Sequence, residues 1–213
     1  MKINLLPIGI FLLCSALSNL EAQNSDFIGG LLLNFNGIQV EGQKKQFWDS
    51  PNNDIGGTGG SSFGIFVKRE FQEKWYGVLE LRYMQKGSIY EFANQYGNRA
   101  LEVLRLNYME LPVLVGYKFP KKRKPVYVET GLAYSRLFKS ELKFRKLVER
   151  IKTPNAEYFK NDDFSWVVDL KFAINHKNNL LLGFRTEYSL LSIHKYYKLH
   201  NLDYGVELDY LLY

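Results

Sequence analysis

The stretch Phe164-Ser165-Trp166-Val167-Val168-Asp169-Leu170-Lys171-Phe172-Ala173-Ile174 alternates without a break: every even position is large and apolar, and the odd positions are Ser, Val, Asp, Lys and Ala. Side chains of a strand point alternately to two faces, so one face of this segment meets apolar surroundings and the other polar ones. The same period recurs. Leu180, Leu182, Phe184, Tyr188 and Leu190 oppose Gly183, Arg185, Glu187 and Ser189; Val128, Leu132 and Tyr134 oppose Glu129, Gly131, Ala133 and Ser135. Gly77, Leu79, Leu81 and Tyr83 oppose Glu80, Arg82, Met84 and Lys86; Tyr204, Val206, Leu208, Tyr210 and Leu212 oppose Gly205, Glu207 and Asp209. Weaker strands from Phe27 to Val40, Ser62 to Arg69 and about Glu102 to Phe119 bring the expected number to eight.

The connections between these strands alternate in length. Glu70 to Lys74, Pro120 to Pro125 and His176 to Asn179 are short, whereas Glu41 to Ser61, Ser88 to Leu101, Lys139 to Asp163 and Ser192 to Asn201 are long. An up-and-down antiparallel barrel with tight turns at one end and loops at the other has this rhythm. With an even strand count, both termini fall at the short-turn end. The expected fold is all-β: an eight-stranded antiparallel up-and-down transmembrane β-barrel.

A soluble eight-stranded barrel shares the alternation, so the choice rests on what each face carries. The polar faces interleave both signs with small residues: Lys68, Glu80, Arg82, Lys86, Glu110, Lys118, Glu129, Asp169, Lys171, Arg185, Glu187 and Glu207. Such a set suits a narrow lumen in which each charge needs an opposite partner. The apolar faces carry aromatics at one height. Tyr83 lies eight positions after Trp75, Tyr134 eight after Val126 and Tyr188 eight after Leu180, while Trp166 and Tyr204 sit at the loop ends of descending strands. Eight steps at ~3.3 Å per residue and ~40° tilt climb about 20 Å, close to the ~25 Å apolar band of membrane barrels. Trp75, Tyr83, Tyr134, Trp166, Tyr188 and Tyr204 are therefore expected to form aromatic girdles at the membrane surfaces. The chain also ends on an aromatic strand, with Tyr213 last.

Composition agrees with this reading. Of 213 residues, 46% are hydrophobic, 15% aromatic and 23% charged, a balance that excludes disorder. Beyond the first two dozen positions no run approaches the ~20 apolar residues of a spanning helix. At the start, Lys2 precedes the apolar run Ile3 to Cys14, then Ser15, Ala16 and a polar stretch ending at Ala22. Residues 1–22 read as a secretory signal peptide cleaved after Ala22, leaving 23–213 as the barrel domain. Leu13 before Cys14 departs from the small residue that lipidation requires, and removal of Cys14 leaves no cysteine for disulfides. The net charge of +6 gives an exported barrel no reason to meet nucleic acid. The expected place is the bacterial outer membrane, with both termini periplasmic and the long loops extracellular.

Two neighbouring stretches carry a family resemblance. Asn107-Tyr108-Met109-Glu110-Leu111-Pro112-Val113-Leu114-Val115-Gly116-Tyr117-Lys118-Phe119, followed by Lys124-Pro125-Val126-Tyr127-Val128-Glu129-Thr130-Gly131-Leu132-Ala133-Tyr134-Ser135, resembles the central hairpin of the PorT-like outer-membrane β-barrel family. Leu81-Arg82-Tyr83-Met84-Gln85-Lys86-Gly87 is similar to its third strand, and Tyr188-Ser189-Leu190-Leu191-Ser192-Ile193 to the end of its seventh. The resemblance implies an eight-stranded outer-membrane barrel; one branch of the family belongs to a secretion machinery, and the particular sequence of that branch is not found here. Members of the family mostly lack an assigned activity.

Some features are less regular. Pro112 lacks a ladder donor and a closed barrel has no edge, so a bulge or kink is expected there. Leu104 and Leu106 lie on the opposite parity from Leu111, Val113 and Val115, as such a bulge would explain. Tyr213 falls out of phase with Leu208, Tyr210 and Leu212.

Chemistry-bearing patterns are sparse. His176, His194 and His200 fall in turns or loops without metal-ligand spacing, so no metal or cofactor is expected. Ser192 and His194 supply the one enzymatic alternative, a lipid-modifying enzyme of the outer membrane, without an identifiable carboxylate partner. The run Gly56-Gly57-Thr58-Gly59-Gly60 lacks the strand and helix that phosphate binding needs, and reads as a flexible loop. The segment Lys139 to Asp163 holds seven bases and five acids, with a short helix expected near Leu142 to Ile151. Lys143, Arg145, Lys146 and Arg150 there offer contacts to lipopolysaccharide phosphates, against a solvated loop. The expected partners are the outer-membrane lipid bilayer, lipopolysaccharide and unidentified proteins. Eight strands enclose a lumen just wide enough for side chains, which favours a structural or interaction role over a narrow channel for small solutes.

Overall fold

The computed structural model describes residues 27–42, 55–93, 99–119, 124–145, 150–153 and 158–212. Eight long strands close on themselves: β1 (Phe27–Gly42), β3 (Thr58–Glu70), β4 (Trp75–Ala93), β5 (Arg99–Phe119), β6 (Val126–Arg145), β8 (Asp162–Ala173), β9 (Leu180–Ser189) and β10 (Leu199–Leu212). Each pairs antiparallel with the next, and β1 joins β10 from Gly29↔Leu212 to Gly42↔Leu199. Closure leaves no unpaired edge along this ring, as a backbone in lipid requires. Two short strands extend hairpins at the loop end: β2 (Ile55–Gly56) pairs with β4, and β7 (Arg150–Thr153) pairs with β6. Phe27, opposite Arg69, and Leu212 lie at the end that carries the tight connections.

Alternation translates into two surfaces. Leu31, Leu33, Phe35, Phe63, Ile65, Val113, Leu132, Leu170, Phe184 and Leu208 are large, apolar and exposed, while the intervening positions are buried. An exposed apolar belt this extensive belongs against lipid, not water.

Several expectations need correction. The strands run further at the loop end: β4 continues to Ala93 against Arg99, where a connection from Ser88 was expected. Beyond the apolar belt the apolar-out, polar-in rule no longer holds, with Leu104 and Leu106 inside and Arg105 outside, while the backbone ladder persists. The helix expected over Leu142 to Ile151 is instead a β-hairpin, with Leu142↔Thr153 and Arg145↔Arg150 in register. The continuing β5 ladder, through Leu101↔Arg145, supplies partners that a helix would forgo. The glycine run expected as a loop is strand: Gly59 and Gly60 pair with Gly37 and Asn36. At Gly60 a side chain would meet Ile38 and the Gln85 carbonyl, so the bare backbone lets the strands pack closely.

Pro112 holds its register. It pairs with Ala133 on β6, and only the β4 ladder lapses there, between Leu79↔Val113 and Arg82↔Glu110. The register shift lies instead between Asn107 and Tyr108, where β6 carries Phe138 as the extra residue. Nor does parity change along β5: Leu104, Leu106, Tyr108, Glu110 and Leu114 are all interior. The interior simply becomes apolar toward the loop end. Residues 1–22, Cys14, Lys146 and Tyr213 fall outside the described residues.

Candidate functional site: the lumen and its loop-end mouth

Opposed strands aim charged side chains at the barrel axis. Eleven of the twelve anticipated lumen residues, Lys68, Glu80, Arg82, Lys86, Glu110, Glu129, Asp169, Lys171, Arg185, Glu187 and Glu207, are buried there. Lys118 is not among them; it sits at the short-turn rim, 36% exposed and 4.0 Å from Glu70. The register places Arg82 beside Glu110 and Asp169 beside Arg185 as direct cross-strand neighbours.

Three bases organise most of the network. Arg185 Nη1 lies 3.0 Å from Glu80, 3.2 Å from Asp169 and 3.2 Å from Glu207. Those three carboxylates converge closely enough to hold a metal ion, yet the guanidinium sits among them and supplies the positive charge. Lys171 Nζ reaches Asp209 at 2.7 Å, Glu129 at 2.9 Å and Glu207 at 3.0 Å. Lys86 bonds Glu187 and lies 3.2 Å from Glu110, which also accepts from Ser135 Oγ at 2.8 Å. Arg82 joins the Arg185 group through Glu207 at 3.2 Å and donates to Ser62 Oγ at 2.7 Å. Lys68 takes a different partner, standing 3.8 Å over the Tyr76 ring, whose hydroxyl donates to Glu129 at 2.8 Å.

Further lumen residues complete the set. Asp163 accepts from Ser189 Oγ at 2.6 Å and Asn201 Nδ2 at 3.3 Å, and Asp203 accepts from Asn36. Asp203 and Asp209 share the parity of Glu207, so β10 alternation pointed to them. Nothing in the sequence pointed to Asn36 or Ser62. Among the described residues the buried interior holds nine carboxylates (Glu80, Glu110, Glu129, Asp163, Asp169, Glu187, Asp203, Glu207, Asp209) against five bases (Lys68, Arg82, Lys86, Lys171, Arg185).

Apolar clusters bracket this network. Toward the short turns lie Leu32, Phe66, Tyr76, Val78, Leu114, Tyr127, Leu181 and Leu211. Toward the loops lie Val40, Leu104, Leu106, Tyr108, Leu137, Phe159, Ile193 and Leu199.

The second cluster reaches a cap formed by residues 158–160 and 190–199. His194 is bridged to Phe159 and surrounded by the rings of Tyr158, Phe159, Tyr196 and Tyr197 at 5.2–6.4 Å. Its Nδ1 accepts from the N–H groups of Tyr196 and Tyr197, both at 3.2 Å. Burial, reinforced by Lys160 and Lys195, holds this imidazole below the usual histidine range. Ser192 Oγ donates to the carbonyls of Tyr197 at 2.7 Å and His194 at 3.1 Å. Serine and histidine here brace a turn through the backbone, an arrangement unlike a nucleophile facing its base. His200 stacks on Tyr188 and contacts the Ser189 carbonyl at 2.9 Å.

On the outer surface, Trp75 packs on Tyr117 at 4.9 Å near the short turns. At the loop end Tyr83 contacts Phe63 and Phe138, Tyr134 contacts Phe164, and Trp166 stands opposite Tyr188. Tyr204 is exposed two positions from Leu202, which faces Tyr188.

Comparison with known proteins agrees with this geometry. The family model described as "Outer membrane protein beta-barrel domain" matches residues 21–195. No curated protein matches the chain. Among solved structures it is similar to Ail, the attachment invasion locus protein of Yersinia pestis, solved with the heparin analogue sucrose octasulfate (11% identity, 88% of this chain and 99% of that one, TM-score 0.47). It is similar also to the outer membrane protein OprG of Pseudomonas aeruginosa (12% identity, 88% and 94%, TM-score 0.46) and to the outer membrane enzyme PagL (8% identity, 87% and 99%, TM-score 0.43). With its closed ring of eight strands, apolar exterior and ion-filled interior, the chain belongs to the outer membrane protein β-barrel domain family.

Proposed function

We propose that this protein is a PorT-like barrel that acts as a closed scaffold in the bacterial outer membrane, with both termini periplasmic and the extended hairpins outside the cell. Its role is structural or interactive, as one component of a membrane assembly such as a secretion system, and it is not an enzyme. The filling of the lumen carries this reading: apolar clusters lie on both sides of an ion network in which Arg82, Lys86, Lys171 and Arg185 each hold carboxylates within 3.4 Å. Moving such a network aside would separate buried opposite charges, which is costly. Engagement of the Ser192 hydroxyl by backbone carbonyls supports the non-enzymatic part.

A narrow channel is the second reading, favoured by the excess of buried carboxylates over bases, which would select cations. Recording from purified barrels in planar bilayers separates the two. The scaffold predicts conductance equal to the detergent background. Reproducible cation-selective steps would replace it with the channel.

A further inference from the structure

Asp163 and Asp203 stand apart from the other buried carboxylates. Glu80, Glu110, Glu129, Asp169, Glu187, Glu207 and Asp209 each lie in an ion pair, but among the described residues Asp163 and Asp203 lie in none. Both take neutral donors instead. Asn201 Nδ2 donates to Asp163 at 3.3 Å and Ser189 Oγ at 2.6 Å, while Asn36 Nδ2 donates to Asp203. Asn201 and Asp203 are two apart on β10 and so share its inward face, which brings Asp163, Asn201 and Asp203 side by side.

The bonds already made decide what chemistry is left over. An amide that gives its nitrogen to a carboxylate has only its carbonyl oxygen to offer. Asn201 Oδ1, Asp163 Oδ1 and Asp203 Oδ1 have no hydrogen-bond partner in the fold, and neither has the hydroxyl of Tyr108, which lies beside Asn201 and Asp163. All four residues are 1% exposed or less. Directly opposite Asp203, Glu187 spends one oxygen on Lys86 and leaves the other unpartnered, which adds to the negative potential. Buried polar atoms are normally paired, and a buried carboxylate without a cation is costlier than most. In the Glu80, Asp169 and Glu207 group a guanidinium meets that need. Around Asp163 and Asp203 no side-chain cation does. Two carboxylates beside an amide carbonyl and a hydroxyl, all oxygen, form the donor set of a hard cation such as calcium, which accepts oxygens at about 2.3–2.6 Å in flexible geometry.

We propose that Asp163, Asn201 and Asp203 bind a calcium-type cation in the upper lumen, beneath the apolar layer of Phe159, Ile193 and Leu199. The purified full-length barrel is stripped with a chelator, equilibrated in zwitterionic micelles and titrated with calcium chloride. The readout is the temperature at which the fast-migrating, unheated gel band is lost. Stabilisation should saturate with a half-point of roughly 0.1–1 mM, as in extracellular calcium modules. No response, or an equal response to potassium chloride at matched ionic strength, overturns the proposal.

Asp203→Asn separates a cation site from an ordinary lumen ion. It should shift the calcium half-point upward about tenfold or more. The calcium-free variant should be at least as stable as the parent, because an unpaired buried charge is gone and an oxygen remains for Asn36. Asp163→Asn, on a different strand, should repeat both results. An unchanged half-point in both variants contradicts the proposal, as does a calcium-free form less stable than the parent in both. Since the titration reads equilibrium binding, its outcome is independent of whether the lumen conducts.

Discussion

Charge is arranged in opposite ways inside the barrel and on the outer face of its β6–β7 hairpin. In the lumen, Asp169 pairs across strands with Arg185, and Arg82 with Glu110. On the hairpin, lysine faces lysine and arginine faces arginine. The strand ladder is the same in both places, so the difference lies in what each face must satisfy. Buried charges have lost water and must find partners within the fold, a demand that charges in contact with water do not face. The contrast marks the lumen charges as those that hold the barrel together.

The largest effect is expected from breaking the interior arrangement. Arg185→Met keeps much of the volume but strands Glu80, Asp169 and Glu207 without their shared cation, and should cost about 3–5 kcal/mol. The check is the urea midpoint for loss of the fast-migrating, unheated band on SDS gels. A smaller loss, about 1–3 kcal/mol, should follow Gly116→Ala, because the added methyl overlaps the Tyr76 ring that anchors Glu129 and Lys68. The same gel assay reads it, and a Tyr76→Phe background should not remove the loss, since the ring remains.

Outside the lumen the expected stability effects are slight. Lys152→Glu should stabilise the hairpin by about 0.2–1 kcal/mol in lipopolysaccharide-free micelles, measured as slower proteolysis of the hairpin. The His194 cap adds a pH dependence. Its imidazole is held below the ordinary histidine value, so the folded cap binds fewer protons than the unfolded segment. Cap stability is thus complete above about pH 6.5 and declines as pH falls through the lowered value. Proteolysis within residues 190–199 should quicken on acidification, and His194→Phe should flatten that response.

Legibility of the sequence followed the same division between buried and exposed faces. Where one face met lipid and the other a crowded lumen, as in β8 and β9, period-two alternation was unbroken and the strands, their inward ions and outward aromatics could be read directly. Above the aromatic belt the interior turns apolar at Leu104 and Leu106 while charge appears outside at Arg105 and Lys139, so the expected phase was lost, the strands continued unseen and Leu142 to Ile151 read as a helix. Leu104 and Leu106 misled for a related reason. Apolar residues on an inward face imitate a change of phase, and only the ladder shows that β5 keeps its parity through Pro112. Lumen partners such as Asn36 and Ser62 stayed hidden because neutral polar residues alternate in strands whether or not they meet a charge. The like-charge register of the hairpin was beyond reach altogether, since it depends on which residue of β7 faces which of β6.

The contrast is tested most directly by one side-by-side measurement of unfolding free energy in detergent micelles, comparing Arg185→Met with a hairpin variant that carries Lys143→Gln, Arg145→Gln, Arg150→Gln and Lys152→Gln. The lumen variant should lose about 3–5 kcal/mol, and the hairpin variant should match or exceed the parent, because removing opposed like charges relieves repulsion. A lumen variant as stable as the parent, or a hairpin variant that loses as much as Arg185→Met, would contradict it.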